Sequence, residues 1–135
     1  MSKRTHFEEK GAVSDMKEKV KVTGVPETMI QTLYARAKET AKPDAKIKDE
    51  MAVEIVAQLD YDFSKADTDK TMASGVIART IVLDRMVGEY LDHHPNSIVV
   101  NIACGMDTRC YRMQGKYVRW YNVDLPETME IRCRF

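Results

Sequence analysis

Apolar positions recur at helical spacing from about residue 23 to residue 92 and then give way to unbroken runs. In TGVPETMIQTLYARAKETAKP, residues 23–43, Met29, Ile30, Leu33, Tyr34 and Ala37 fall on one face. Pro26 sits at the first helical position, Glu27 favours the positive end of the helix dipole, and Pro43 stops the run. DEMAVEIVAQLDYDF, residues 49–63, repeats the pattern, with Asp49 as the cap and Met51, Ile55 and Leu59 four apart. A third helix over about 70–92 places Ile77, Ile81, Asp84, Val87 and Leu91 on one stripe. The spacing therefore predicts three helices before any strand.

After the turn-forming DHHPNS, residues 98–103 form a continuous apolar run, which suits a parallel strand covered by helices on both faces. A second run, YVRWYNVDL, ends at Asp124, and PETMEIRCRF reads as a helix that begins at Pro126. The order strand, turn, helix, strand, helix is that of a doubly wound α/β sheet. Residues 1–22 are dense in charge and lack a sustained apolar face, so a frayed or weakly helical arm is expected there. The chain thus divides into a charged arm (1–22), a helical cap (23–95) and a first β-α-β portion (96–135).

Composition narrows the function classes. The 135 residues are 44% hydrophobic and 31% charged, enough for one globular domain. Twenty-one basic residues balance 21 acidic ones, which leaves no electrostatic footprint for nucleic acid or an anionic membrane surface. No stretch has the roughly 18 apolar residues of a membrane span, and the N-terminus carries no apolar leader core, so a cytoplasmic protein is expected. Cys104, Cys110 and Cys133 are odd in number and contain no CxxC pair, which favours reduced thiols over a disulfide framework or a zinc site. His93 and His94, adjacent in a turn, make a poor metal site and read as solvent-facing.

The chemistry concentrates in IVVNIACGMDTRCYR, residues 98–112, where a strand breaks into a turn containing an acid and a base. A dinucleotide site wants three glycines and a helix start free of negative charge, because a pyrophosphate must approach bare amides. Here only Gly105 is glycine, and Asp107 would repel a pyrophosphate. Asp124, about 20 residues further on at the end of the second strand, is placed to accept hydrogen bonds from the hydroxyls of a ribose. A nucleoside ligand without phosphates satisfies both constraints, and S-adenosylmethionine is such a ligand. Its methionyl carboxylate needs a cation; Arg79 lies one helix before the strand and Arg109 lies in the turn.

IARTIVLD, VVNIACGMDTRCYR and WYNVDLPETMEIR together resemble the leucine carboxyl methyltransferase family, which includes polyketide O-methyltransferases of tetracenomycin type. The likeness runs from about Val22 to Arg132. It implies a Rossmann-like S-adenosylmethionine-dependent methyltransferase fold, here truncated, with an N-terminal helical cap. It also implies that Arg79 pairs with the methionyl carboxylate, that the cofactor turn falls on Ala103, Cys104 and Gly105, and that Asp124, followed by Leu125, binds the ribose. The family usually has glycine where this chain has Ala103.

Each of these residues also has a plainer reading. Arg79 can serve as a surface ion-pair partner, Asp84 and Asp107 can cap or brace helices, and Asp107 with Arg109 can form a local clamp. Cys104 reads as a small buried hydrophobe rather than a nucleophile. Methyl transfer to a carboxylate needs no general base, since the acceptor is already ionised, so no catalytic residue is expected from the sequence. The expected function is O-methylation of a carboxylate or hydroxyl on a small molecule or a protein C-terminus. A non-catalytic remnant that keeps the fold, and a dinucleotide oxidoreductase, stand as alternatives. Family members run to roughly twice this length, so an amino-terminal half is expected, which would self-associate or pair with a second chain supplying the rest.

Overall fold

A computed structural model describes the backbone of Val20–Lys21 and all of residues 27–135. In chain order the elements are β1 (Val20–Lys21), α1 (Glu27–Thr40), α2 (Glu50–Gln58), β2 (Leu59–Asp60), α3 (Ser64–Thr68), α4 (Lys70–His93), β3 (Ile98–Ile102), α5 (Arg109–Arg112), β4 (Arg119–Val123) and α6 (Pro126–Arg132). The architecture is mixed α/β, with two small parallel sheets, β1 beside β2 and β3 beside β4.

The three expected helices are present, and a short fourth, α3, lies between the second and third. Asp49 caps α2 by accepting the Ala52 amide at 3.1 Å, and Asp69 caps α4 by accepting that of Met72 at 2.8 Å. Pro26, and the expected arm apart from Val20–Lys21, lie outside the described residues. Those two residues form β1, pairing with Leu59 and Asp60, rather than a frayed or helical lead-in. Leu59, expected on α2, is instead the first residue of β2; its side chain stays buried in the same core, so only its backbone partner differs.

That core gathers Met29, Ile30, Leu33 and Ala37 of α1, Ala52 and Ile55 of α2, Leu59, and Met106. Met106 comes from the turn after β3, so the helical layer and the turn share one apolar cluster. Burial of a side chain of this size contributes about 1.5–3 kcal/mol, which ties the turn firmly to α1. Of the stripe expected on α4, Ile77 and Leu91 are buried and Asp84 and Val87 are half-buried, whereas Ile81 is exposed.

β3 and β4 run parallel, with Ile98 beside Arg119, Val100 beside Tyr121 and Ile102 beside Val123. The predicted two-sided cover of this sheet does not hold. Ile98, Val100, Ile102, Tyr121 and Val123 share one face and are all exposed, Ile102 by 77%. The opposite face, with Val99, Asn101, Trp120 and Asn122, is half-buried. An unbroken apolar run records that a strand is built to be covered twice; among the described residues nothing lies over the second face.

Candidate functional site

β3 ends at Ile102, and the chain turns at once through two left-handed positions, Ala103 at φ 54° and Gly105 at φ 48°. At Gly105 the absence of a side chain serves twice, because a Cβ there would also come within 3.2 Å of Met29 Cγ. Ala103 takes the left-handed conformation despite its methyl group, at a cost of roughly 1–2 kcal/mol.

The sequence reading leaves the amides of this turn open to a ligand; the structure commits three of them internally. The Cys104 N–H donates to the Val123 carbonyl at 3.2 Å, that of Gly105 to Asp124 Oδ2 at 2.7 Å, and that of Asp107 to the Cys104 carbonyl at 2.8 Å. Buried amides must find partners, and here the neighbouring strand, an acid and the turn itself supply them. The turn is therefore no phosphate cradle.

Asp124, just past β4, uses one oxygen on the Gly105 amide and the other on its neighbour's, Leu125, both at 2.7 Å. Those two amides hold its carboxyl below the usual carboxylate range, with the Gly105 bond the largest cause. The Thr128 side chain also lies against the carboxyl, and a carboxylate has lone pairs enough to accept a further hydroxyl beside these donors.

A cleft of about 590 Å³ runs beside the turn, and all six residues singled out from the sequence line it: Arg79, Ala103, Cys104, Gly105, Asp124 and Leu125. Thr28, Met29, Thr32 and Arg36 of α1, Thr80 and Leu83 of α4, and Thr128 of α6 are among the other residues of its walls. Sequence reasoning did not place these in the site, because their spacing marks only helix faces. Arg79 projects from α4, is exposed, and has no acidic partner within 4.0 Å among the described residues.

Arg109 also lines the cleft, but it is not available as a second cation. Its Nε donates to Asp84 Oδ1 at 2.7 Å and its Nη1 to Asp107 Oδ2 at 2.8 Å. The Asp107–Arg109 clamp and the bracing role of Asp84 are both present. They belong to a larger network that sequence spacing did not reveal. Arg112 donates to both oxygens of Asp84 and, through Nη1, to Asp49 Oδ2 at 2.7 Å. The same Asp49 oxygen accepts from Arg36 Nε at 2.9 Å and from the Thr108 hydroxyl at 2.6 Å. Three arginines meet three aspartates, so the charges cancel within the network. Burial pushes the Asp84 carboxyl up, but the hydrogen bonds and charges of Arg112 and Arg109 outweigh it and hold the group below its ordinary value.

Cys104 is buried, its thiol pushed up chiefly by that burial, which fits a small apolar residue and not a nucleophile. His93 and His94 are exposed, each with Nδ1 within 2.8 Å of a carbonyl of α4. A second hollow, about 560 Å³ between α1, α3 and α4, is rimmed by Lys38, Asp67, Lys42 and Glu39, which pair with one another.

Comparison with known proteins places the chain in a family. The profile of the family described as leucine carboxyl methyltransferase matches residues 29–134, from α1 through α6. The tetracenomycin polyketide synthesis O-methyltransferase TcmP of Streptomyces glaucescens is 38% identical over 120 residues, which is 88% of this chain and 44% of that protein. The S-adenosyl-L-methionine-dependent methyltransferase dpfgK of Gibberella zeae is 32% identical over 126 residues, 86% of this chain and 42% of its own length. The chain thus spans less than half the length of these curated relatives. The family match takes in the span that holds the helical layer, the turn and the strand-end acid, and the chain belongs to the leucine carboxyl methyltransferase family.

Proposed function

We propose that this chain forms the cofactor-binding part of an S-adenosylmethionine-dependent O-methyltransferase of Rossmann-like fold, with residues 23–95 as its helical cap and 96–135 as the first β-α-β portion. One observation carries the reading: a single cleft holds an arginine that has no acidic partner among the described residues and a strand-end carboxylate, beside the same turn. The two groups suit the two ends of a nucleoside amino acid, Arg79 taking the tail carboxylate and Asp124 the ribose hydroxyls. Ala103, Cys104, Gly105 and Leu125 would line the path between them. A phosphate-bearing dinucleotide suits the cleft poorly, since three of the turn's amides are engaged internally and Asp107 stands beside it.

When bound, the cofactor supplies an electrophilic methyl group on a sulfonium. The residues of this chain would hold and orient it; an acceptor already ionised near neutral pH needs no proton removed. The names of the relatives support methyl transfer, and that of TcmP supports an oxygen acceptor. The open sheet face favours a partner, either a second polypeptide equivalent to the rest of the relatives' length or a second copy of this chain. Sedimentation at micromolar concentration tests that point, and a well-behaved monomer that also turns over the cofactor would refute it. The functional reading is tested by calorimetric titration with S-adenosylmethionine, S-adenosylhomocysteine and NAD. Saturable binding of the first two and none of NAD is expected. The reverse preference would make the chain a dinucleotide protein.

A further inference from the structure

Gly105 is the most permissive link in the cofactor turn, yet its backbone is gripped on both sides. Its N–H donates to Asp124 Oδ2 at 2.7 Å, and its carbonyl accepts from Arg132 Nη1 of α6 at 2.9 Å. One residue on, the Met106 carbonyl accepts from Arg36 Nη2 of α1 at 2.7 Å. Three of the four backbone polar groups of Gly105 and Met106 are thus fixed by side chains from three separate places in the chain. A glycine at φ 48° has no side chain to restrain it, so these contacts set the direction of its amide.

Arg36 is buried and already engaged with Asp49 and with the Thr32 carbonyl, so its hold on Met106 belongs to the ion network of the core. Arg132 differs. It is half-buried, it has no acidic partner within 4.0 Å among the described residues, and its described hydrogen bond is the one to Gly105. A guanidinium half withdrawn from water and aimed at one carbonyl is placed to hold that carbonyl, and its charge acts on Asp124 only from beyond ion-pair distance.

We propose that Arg132 is a positioning residue: by holding the Gly105 carbonyl it keeps the Gly105 amide on Asp124, and so orients that carboxylate toward the ribose. This rests on the cofactor reading above for its purpose but not for its geometry. Arg132 itself contacts neither the sulfonium nor the acceptor in this role. The groups around the Asp124 carboxylate are the Gly105 and Leu125 amides, Thr128 and Arg132 of α6, and the Cys104 thiol. Of these, the Gly105 amide does most to hold the acid ionised.

The test compares the unaltered chain with Arg132→Gln and Arg132→Lys by nuclear magnetic resonance, reading the exchange rate of the Gly105 amide and the titration midpoint of the Asp124 carboxyl. In Arg132→Gln the amide should exchange about five- to tenfold faster and the midpoint should rise, while amides of α1 and α2 keep their protection. Arg132→Lys should bring both readouts part of the way back, because it restores a donor and a charge without the planar fork. Unchanged exchange and an unchanged midpoint in Arg132→Gln would overturn the proposal, and so would loss of protection throughout α1 and α2 in both variants. Neither readout needs ligand, so failure of the parent chain to bind S-adenosylhomocysteine would count against the cofactor reading alone.

Discussion

Arg109 and Arg79 line the same cleft, yet their surroundings are opposite. Arg109 is nearly withdrawn from water and spends its guanidinium on Asp84 and Asp107, inside a network that continues through Arg112 and Asp49 to Arg36. Arg79 stands exposed on α4 with no acid within 4.0 Å among the described residues. Removing one partner from a buried pair leaves a charge stranded in low dielectric, so such pairs are costly to break. An exposed cation contributes little to stability and can accept a new anion at small cost. The first group holds the turn against the helices; the second is open to a ligand.

The sharpest way to break this comparison is at Asp49, whose side chain is 1% exposed and which serves α2, Arg36, Arg112 and Thr108 together. Asp49→Ala should destabilise the fold by about 3–5 kcal/mol, measured by denaturant unfolding. Arg79→Gln should change stability by no more than about 0.5 kcal/mol in the same assay. A large loss at Arg79 would mean that it, too, is structural.

Asp124→Ala addresses the cleft from its other end. Affinity for S-adenosylhomocysteine should fall by about 1–3 kcal/mol by calorimetry, since ribose hydroxyls would be left without their acceptor. An unchanged affinity would remove Asp124 from the site.

Strong acid should weaken the network. The Asp84 carboxyl is held below its ordinary value, so its contribution to stability is complete above a pH of about 4 and is lost as pH falls through the depressed value. Asp84→Asn should flatten the acid limb of a stability-against-pH curve. A curve that keeps its slope in the variant would place the acid sensitivity elsewhere.

How much of this the sequence disclosed depends on the range of the interaction. α1, α2 and α4 are local, and their caps and apolar spacing are written within a few residues of each other. β1 and β2, two residues each, carry no periodicity and were not foreseen. The apolar character of β3 was visible, but what covers it is a property of other parts of a molecule, and one face proved open. Ala103, Cys104, Gly105 and Asp124 were legible because strand end, turn and acid follow one another at a set spacing, Arg79 was singled out through the resemblance, and the cleft's α1 residues were not legible. The network was not. Asp49 and Arg112 lie 63 positions apart, and charged residues at such distances look like any solvated face until the fold brings them together.

The smallest effect is expected at Ala103. Glycine there would relieve a left-handed alanine at φ 54° but add freedom to the unfolded chain, so Ala103→Gly should stabilise by at most about 1 kcal/mol in thermal unfolding. It should tighten cofactor binding modestly. A loss of stability would show that the methyl group packs usefully.

The central claim is that one cleft reads a nucleoside amino acid from both ends, and a ligand lacking the tail tests it most directly. Calorimetry would compare S-adenosylhomocysteine with 5′-methylthioadenosine on the unaltered chain, Arg79→Gln and Asp124→Ala. The account predicts that Asp124→Ala weakens both ligands, whereas Arg79→Gln weakens only S-adenosylhomocysteine, by roughly tenfold or more. Equal losses for both ligands in Arg79→Gln, or no binding of either by the unaltered chain, would contradict it.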